Sequence, residues 1–198
     1  MEAARPVFYY DTNSPYAYLA AMRVEGLIPG AVWRPIAFGV LLRQSGRMPW
    51  SRDERREAGQ AEVARRAAER DLPEVRYHDD WPVGTWSFAP LRAAVLAEER
   101  GVLKPFTLAL FGVMFAGGRS LAEIDNVLDA ADAVGLDRDE VCAAIEDQAI
   151  KDRLAEYTNE AIERGVEGVP TVAVGDELFW GDDRLEEAAA AASGSATS

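Results

Sequence analysis

Cysteine is almost absent from this 198-residue chain, and histidine is equally scarce. Cys142 is the sole cysteine, so the chain forms no internal disulfide, carries no dithiol redox motif and builds no thiolate zinc cluster. His78 is the sole histidine, which excludes histidine-rich metal sites. We therefore expect no metal centre and no dithiol–disulfide exchange. Cys142 lies among apolar residues of a predicted helix, and we expect its thiol to be buried and inert.

Long apolar runs and an excess of positive charge are also missing. No stretch approaches the roughly 20 apolar residues of a membrane-spanning helix. The 21 basic and 34 acidic residues give a net charge of −13, which repels nucleic acid and anionic membranes. Residues 1–6 show no secretion signal, because no basic region is followed by an apolar stretch. We predict a cytoplasmic protein that acts on a small molecule, with neither nucleic acid nor membrane as a partner.

The start of the chain predicts a strand, a helix and a second strand. Residues 7–10 are β-branched or aromatic, which is typical of a strand buried on both faces. Asn13 or Ser14 then provides a helix N-cap, and Pro15 suits the first helical position of a helix that continues to Ile28. A second strand is predicted over 31–38. Such a unit is typical of a parallel strand pair with a right-handed crossover.

The middle of the chain, from residue 41 to 165, has an almost entirely helical pattern. Ser120 and Glu123 stand three apart at the start of one of these helices, as in a capping box. The strand pattern then returns, with strands predicted at 171–174 and 177–180 around a two-residue turn. The middle is therefore predicted to be a block of helices between two pairs of strands.

The chain ends with a predicted helix over 184–192 and a tail of small residues, 193–198, that we expect to be disordered. The order β-α-β, helices, β-β-α predicts an α/β, thioredoxin-like fold with a large all-helical insertion. We expect a single domain over 1–198, with the thioredoxin-like part at 6–38 and 166–192 and the helical insertion at 39–165.

Ser14 lies where the first predicted strand runs directly into a helix. The unpaired N–H groups and the dipole of a helix N-terminus favour an anion at that point, so Ser14 is a candidate catalytic residue. The alternative is that its hydroxyl only caps the helix, which is worth about 1 kcal/mol. Periodicity alone favours the cap.

Val169 and Pro170 immediately precede the third predicted strand, between Gly168 and Thr171. Proline cannot donate to a strand ladder, so it lies at the start or the edge of this strand. A cis Val169–Pro170 bond would turn the N–H and C=O of Val169 outward, where they pair with a peptide-like ligand. An ordinary trans proline is the alternative, and we predict the cis form.

Asp182 and Asp183 stand where the fourth predicted strand passes through Gly181 into the last helix. Acidic residues in the first turn of a helix interact favourably with the helix dipole and need no further role. The alternative is that they bind the ammonium group of a ligand. The motif therefore supports either a helix start or part of a binding site.

Taken together, these motifs resemble those of one family. They comprise Phe8 to Asp11 with Ser14 to Leu19, then Gly168 to Thr171, and finally Glu177 to Leu185. On this combination the chain is identified as a member of the group formed by the 2-hydroxychromene-2-carboxylate isomerases and the kappa-class glutathione transferases. These proteins belong to the DsbA-like branch of the thioredoxin superfamily.

The resemblance implies a role for each motif. Ser14, at the position of the attacking cysteine in redox relatives, is implied to donate a hydrogen bond to the sulfur of glutathione or another low-molecular-weight thiol. Val169, before a cis Pro170, is implied to pair with the cysteinyl backbone of that thiol. Asp183, with or without Asp182, is implied to bind its γ-glutamyl ammonium. The implied activity is the thiol-dependent cis–trans isomerisation of an aromatic or conjugated carbonyl compound by a homodimer.

One position departs from the family pattern. Gly46 and Arg47 stand where relatives commonly have glycine and asparagine. Arginine is larger and always protonated, so Arg47 either grips an acidic group of the substrate or thiol or lies in solvent. We include Arg47 among the candidate cofactor-binding residues and leave the solvent alternative open.

Other functions fit the same motifs. One is a kappa-like glutathione transferase or peroxidase, and another is a redox-inactive thioredoxin-fold module that binds a partner segment by strand addition. Retention on immobilised glutathione separates an enzyme from such a module. Trp81, Trp86 and Phe88 either line a pocket or pack in the core.

Overall fold

The computed structural model describes residues 5–79, 81–82 and 87–195. Its first elements are strand β1 at Val7–Tyr10, helix α1 at Pro15–Leu27 and strand β2 at Val32–Pro35. β1 and β2 are parallel, with Val7 opposite Val32. The predicted β-α-β unit is therefore confirmed.

A block of helices follows and separates this unit from a second pair of strands. In chain order, the remaining elements of the described residues are α2 (Phe38–Ser45), a 3₁₀ turn (Trp50–Arg52), α3 (Arg56–Ala68), α4 (Phe88–Glu99), α5 (Leu103–Phe111) with a π-helical turn (Gly112–Ala116), α6 (Ile124–Asp132), α7 (Arg138–Glu146), α8 (Gln148–Glu163), β3 (Thr171–Val174), β4 (Glu177–Trp180), a 3₁₀ turn (Asp182–Arg184) and α9 (Leu185–Ser195). These helices form the predicted all-helical insertion between the two pairs of strands.

The described strands form one mixed sheet in the order β2-β1-β3-β4. β3 runs antiparallel to both β1 and β4. The turn between β3 and β4 includes Gly175 with a φ of 56°, a backbone conformation that glycine adopts without strain. This order and these directions confirm the predicted thioredoxin-like fold.

β1 is buried on both faces, as its unbroken apolar run predicts. Phe8 and Tyr10 point into the larger core, where the ring of Phe8 meets that of Trp33 at 5.1 Å between centroids. Tyr9 points to the opposite face, into a smaller cluster with Ile36 and Ala173. Helices therefore cover the sheet on both sides, which explains why this strand lacks polar alternation.

The sheet register brings two distant loops together. Tyr9 lies opposite Thr171 in the antiparallel pair of β1 and β3. The segment that leaves the end of β1 therefore meets the segment that enters the start of β3. Ser14 lies in the first of these segments, and Val169 with Pro170 in the second. Strand pairing thus places the two sequence motifs side by side.

Several predicted boundaries are wrong. The second strand ends at Pro35 rather than at residue 38, and Phe38 begins α2. The predicted capping box does not form, because α6 begins at Ile124 and the Ser120 hydroxyl instead accepts from the N–H of Ala122 at 3.2 Å. The predicted disordered tail is wrong for its first three residues, since α9 extends to Ser195. Residues 196–198 lie outside the described residues.

Candidate active site

Ser14 caps α1 and also faces the loop that enters β3. Its backbone is extended, and its Oγ accepts a hydrogen bond from the N–H of Ala17 at 3.2 Å. The same hydroxyl donates to the carbonyl oxygen of Val169 at 3.4 Å, across 155 positions of sequence. At this length the second hydrogen bond is weak, so the hydroxyl proton is able to turn toward a ligand. The hydroxyl therefore caps the helix and keeps a donor for a ligand.

Val169 and Pro170 line a pocket that Ser14 also lines. The peptide bond between them is cis, which confirms the prediction. The carbonyl oxygen of Pro170 accepts a hydrogen bond from the N–H of Gly181 at 2.9 Å. Across the described residues, no backbone hydrogen bond uses the N–H of Val169. Val169, whose carbonyl oxygen accepts from Ser14, thus also keeps a main-chain donor for a peptide-like ligand.

The pocket between these segments has a volume of about 970 Å³, at the upper end of the range for small-molecule sites. Aromatic and cationic side chains line it: Tyr16, Phe38, Trp50, Trp81, Phe88 and Trp180, with Arg43, Arg47, Arg52, Arg55 and Arg66. Phe88 is exposed and follows the pocket alternative, whereas Trp81 borders the pocket but is buried in the core. Trp86 lies outside the described residues. These walls suit a planar or conjugated compound that carries negative charge.

Asp182, which the resemblance implies as an optional second group for a ligand ammonium beside Asp183, is buried in ion pairs. Its side chain is only 1% exposed, and it forms ion pairs with Arg66, at 2.6 Å, and with Arg70. Arg66 lies on α3 and Arg70 lies in the turn that follows it, both in the helical insertion. Because two guanidinium groups already occupy this carboxylate, Asp182 holds α3 against the 3₁₀ turn and offers little to a ligand ammonium.

Asp183, by contrast, presents its carboxylate to the pocket. Its side chain is 59% exposed, and its Oδ2 lies 3.6 Å from a guanidinium nitrogen of Arg66. That separation exceeds a hydrogen bond, so the Asp183 carboxylate retains hydrogen-bonding capacity. The adjacent aspartates therefore differ sharply in burial and in available partners.

Arg47 lines the pocket and does not extend into solvent. Its guanidinium donates to the carbonyl oxygen of Glu167 and lies over the ring of Trp180, 5.3 Å from the centroid. Its side chain is 35% exposed. Arg47 is therefore packed on protein with about a third of its side chain exposed, and the sequence did not predict its contacts with Glu167 and Trp180.

Asp11 is a further titratable group of the pocket that the sequence interpretation missed. It is buried, and its carboxylate accepts hydrogen bonds at 2.9 Å each from the N–H of Asn13, the N–H of Phe38 and the hydroxyl of Ser87. Burial raises the pKa of Asp11, and these three donors act in the opposite direction. Asp11 thus ties the Ser14 loop to the starts of α2 and α4.

Tyr16 joins the pocket to α3. Its hydroxyl donates to Glu62 Oε2 at 3.3 Å, and the guanidinium of Arg66 lies 5.5 Å from the centroid of its ring. Burial, reinforced by the charge of Glu62, raises the pKa of Tyr16 to about 12. The phenol is therefore protonated at neutral pH and acts as a donor.

Arg66, on α3, and Arg70, in the turn after it, are partners of Asp182 that sequence reasoning missed. The run from 52 to 70 has the composition of a solvated helix, yet Arg66 and Arg70 both turn inward to one carboxylate. Glu62 and Arg66 stand four residues apart on one face of α3, and Arg70 follows four residues later, just beyond the end of the helix. That spacing was a visible signal for a charged face with a partner elsewhere in the fold.

Cys142 lies on α7 and is exposed, so the prediction of a buried thiol is wrong. It is not among the residues that line the pocket. A search of the described residues finds no group of three metal-binding side chains. In the same part of the chain, no helix combines the length and apolar character needed to cross a membrane.

Known proteins resemble the chain over nearly its full length. The model of the DSBA-like thioredoxin domain matches residues 7–192. The chain belongs to the DSBA-like thioredoxin domain family. Within this family, a 2-hydroxychromene-2-carboxylate isomerase from Sphingobium xenophagum is 27% identical over 186 residues, which cover 90% of this chain and 93% of the relative. A solved structure of such an isomerase has a TM-score of 0.81 and 25% identity, and the match covers 95% of this chain and 94% of that one.

Redox members of the DSBA-like family share the fold as well. The cytosolic disulfide reductase DsbM from Pseudomonas aeruginosa has a TM-score of 0.65 at 19% identity, with 98% of each chain covered. At that identity the match bears on the fold alone. The full-length relatives named as isomerases support an enzymatic role for this chain.

Proposed function

We propose that this protein is a thiol-dependent isomerase of the 2-hydroxychromene-2-carboxylate isomerase type. Its cofactor is glutathione or another small thiol, and its substrate is an aromatic or conjugated carbonyl compound. The observation that carries the proposal is the contact of the Ser14 hydroxyl with the carbonyl oxygen of Val169, a residue whose N–H has no backbone partner in the described structure, in one large pocket at the N-terminus of α1.

The residues present fit a peptide-like thiol. The N–H of Val169 is a main-chain donor without a backbone partner in the described structure. Asp183 supplies an exposed carboxylate for a ligand ammonium on the same pocket wall. Ser14 supplies a hydroxyl donor where the dipole of α1 is positive, which favours the anionic form of a nearby thiol. The pocket thus offers one protein group each to the main chain, the ammonium group and the sulfur of such a cofactor.

The thiol, when bound, supplies the nucleophile that adds to a conjugated carbon and later leaves, which permits rotation about a former double bond. The protein's own residues hold and orient the reactants. When the thiol binds, Ser14 turns its proton from the carbonyl oxygen of Val169 to the sulfur, and the aromatic wall formed by Trp50 and Phe88 holds a planar substrate. Arg43 and Arg52 lie on the same walls and stabilise negative charge on the substrate.

Dithiol exchange is not part of the proposal, because the four positions that carry it in redox relatives are Ser14, Pro15, Tyr16 and Ala17 here. The homodimer and the cytoplasmic location stay predictions from the sequence.

The decisive experiment measures thiol binding and turnover together. A thiol that binds this pocket should raise the melting temperature, because saturation at 100 times its dissociation constant stabilises a protein by about 2.7 kcal/mol. With that thiol present, the protein should isomerise 2-hydroxychromene-2-carboxylate, and without it the rate should fall to background. Conjugation of the thiol to electrophiles without isomerisation would instead identify a transferase. Thiol binding without any turnover would indicate a binding module.

A further inference from the structure

Arg47 reaches from the end of α2 to the loop that precedes β3. Its guanidinium donates to the carbonyl oxygen of Glu167, and one nitrogen lies 3.9 Å from the carboxylate of the same residue. Its Nε donates to the Ser45 hydroxyl at 3.1 Å, which fixes the direction of the side chain. The guanidinium also lies over the ring of Trp180. A single side chain therefore contacts both the loop before β3 and the end of β4.

The contact with Trp180 leads back to the same loop. The indole of Trp180 packs so closely on Gly168 that a Cβ at that position would overlap its ring atoms. Arg47 therefore contacts this loop twice, at Glu167 directly and at Gly168 through Trp180. The next residue along the chain is Val169, whose carbonyl oxygen accepts a hydrogen bond from the Ser14 hydroxyl. Arg47, at the end of α2, thus holds in place the loop that contains the unpaired N–H of Val169.

The geometry at the end of α2 directs Arg47 to this position. Gly46 ends the helix in the left-handed conformation, with a φ of 66°, and its N–H bonds to the carbonyl oxygen of Leu42. The chain reverses there and carries Arg47 toward the loop. Only a long side chain with several planar donors spans this gap and bonds at both ends, and arginine has this form.

We propose that Arg47 is a positioning residue that fixes the loop of residues 167–170, so that the main chain of Val169 faces Ser14. Arg47 acts through Glu167 and Trp180, and it does not bind the ligand itself. The inference rests on the proposed function, because the main chain that Arg47 positions is the proposed thiol-peptide site.

The test compares Arg47→Gln and Arg47→Lys with Arg153→Gln. The third variant makes the same charge change on α8 at an exposed residue outside the pocket. One measurement is the dissociation constant for glutathione by calorimetry. The other is hydrogen exchange of the Gly181 amide, which bonds to the carbonyl oxygen of Pro170 and reports the order of the loop without any ligand.

We expect Arg47→Gln to raise the dissociation constant for glutathione about tenfold. This factor corresponds to the loss of the charge-assisted hydrogen bond from Arg47 to Glu167, because the loop is then less ordered before the ligand binds. In the ligand-free protein, the Gly181 amide should exchange about tenfold faster, because loosening of the loop exposes its bond. Arg47→Lys should fail to restore either value, since lysine keeps the charge but lacks the planar donors. Arg153→Gln should match the wild type in both measurements.

Weakened glutathione binding with unchanged Gly181 exchange would mean that Arg47 contacts the ligand directly, and it would overturn the inference. Full rescue by Arg47→Lys would also overturn it, because charge alone would then suffice. If the wild type binds no thiol, the proposed function fails, and the Gly181 amide still decides the inference. Faster exchange in Arg47→Gln then supports the positioning role, and unchanged exchange refutes it.

Discussion

Replacement of Ser14 by alanine removes one oxygen atom that has two separate roles. That oxygen accepts a hydrogen bond from the N–H of Ala17 and so caps α1, and it also carries the proton that we propose faces a bound sulfur. The two roles predict two independent losses. One appears in the stability of the free protein, and the other in the ionisation of a bound thiol.

The magnitudes follow from the surroundings of Ser14. Loss of a serine cap costs about 1 kcal/mol of folding free energy. Loss of a hydrogen bond to a charged group costs about 1.5–3 kcal/mol in a dry site, and the pocket is open, so the lower end applies. Since 1.36 kcal/mol corresponds to one pKa unit, the pKa of the bound thiol should rise by about one unit toward its free value near 8.5.

The sign of the pH dependence follows from the same shift. A thiol whose pKa is lowered on binding releases a proton, so its affinity rises with pH between the bound and free pKa values. Outside that window the affinity of the thiol no longer changes with pH. In Ser14→Ala the bound pKa is higher, so the window should be narrower and the gain in affinity smaller. The ultraviolet absorbance of bound thiolate, titrated against pH, measures this window directly.

Two further variants separate the roles of Ser14. Ser14→Thr keeps a hydroxyl and should retain both the cap and the lowered thiol pKa. Asp137→Ala removes an equivalent cap from α7, where its carboxylate accepts from the N–H of Glu140 at 2.9 Å, and should lower stability alone. If the thiolate titrations of Ser14→Ala and the wild type coincide while stability falls, Ser14 is only a cap and the catalytic assignment is wrong.

The other predictions concern the remaining groups of the pocket. Asp183→Asn should weaken glutathione binding by about 1 kcal/mol with the unfolding midpoint unchanged, whereas Asp182→Asn should cost about 3 kcal/mol of stability in denaturant titrations, because it breaks a buried ion pair. By carbon NMR the carboxyl of Asp11 should titrate above 3.9, and Ser87→Ala should raise its pKa further, since a donor to the carboxylate is lost. A midpoint at or below 3.9 would contradict the burial argument. Gly168→Ala should destabilise the fold by about 1–3 kcal/mol, because a methyl group there meets an indole ring, and an unfolding curve like that of the wild type would refute this packing.

The sequence predicts the fold well because its strong signals are local. An unbroken apolar run marks β1, and the cap and proline at the start of α1 mark its boundary. The start of α2 was missed for a physical reason: the N–H of Phe38 is capped by the carboxylate of Asp11, 27 positions earlier. No local pattern shows such a cap. The predicted second strand therefore continued past Pro35, where the structure ends it.

The residues of the candidate site also divide into those that sequence motifs indicate and those that only long-range contacts reveal. The resemblance implies that Ser14 and Val169 act on the same thiol, and the antiparallel pairing of β1 with β3 brings the two residues together. The ion pairs of Asp182 could not be predicted from sequence, since its partners Arg66 and Arg70 lie 116 and 112 positions away. Sequence pattern assigns the two aspartates the same role, and only tertiary packing distinguishes them.

The charges around Asp182 explain why its neighbour is the better ligand for an ammonium group. Arg66 and Arg70 carry two positive charges, and Asp182 and Glu62, which bonds to Arg66 at 2.5 Å, carry two negative ones. These four groups therefore form a neutral cluster that fastens α3 of the helical insertion to the thioredoxin-like part. Asp183 adds the one carboxylate that the cluster does not neutralise, on the pocket side. A ligand ammonium bound beside Asp183 meets this charge directly, and loss of either arginine would change both the packing of α3 and the field at Asp183.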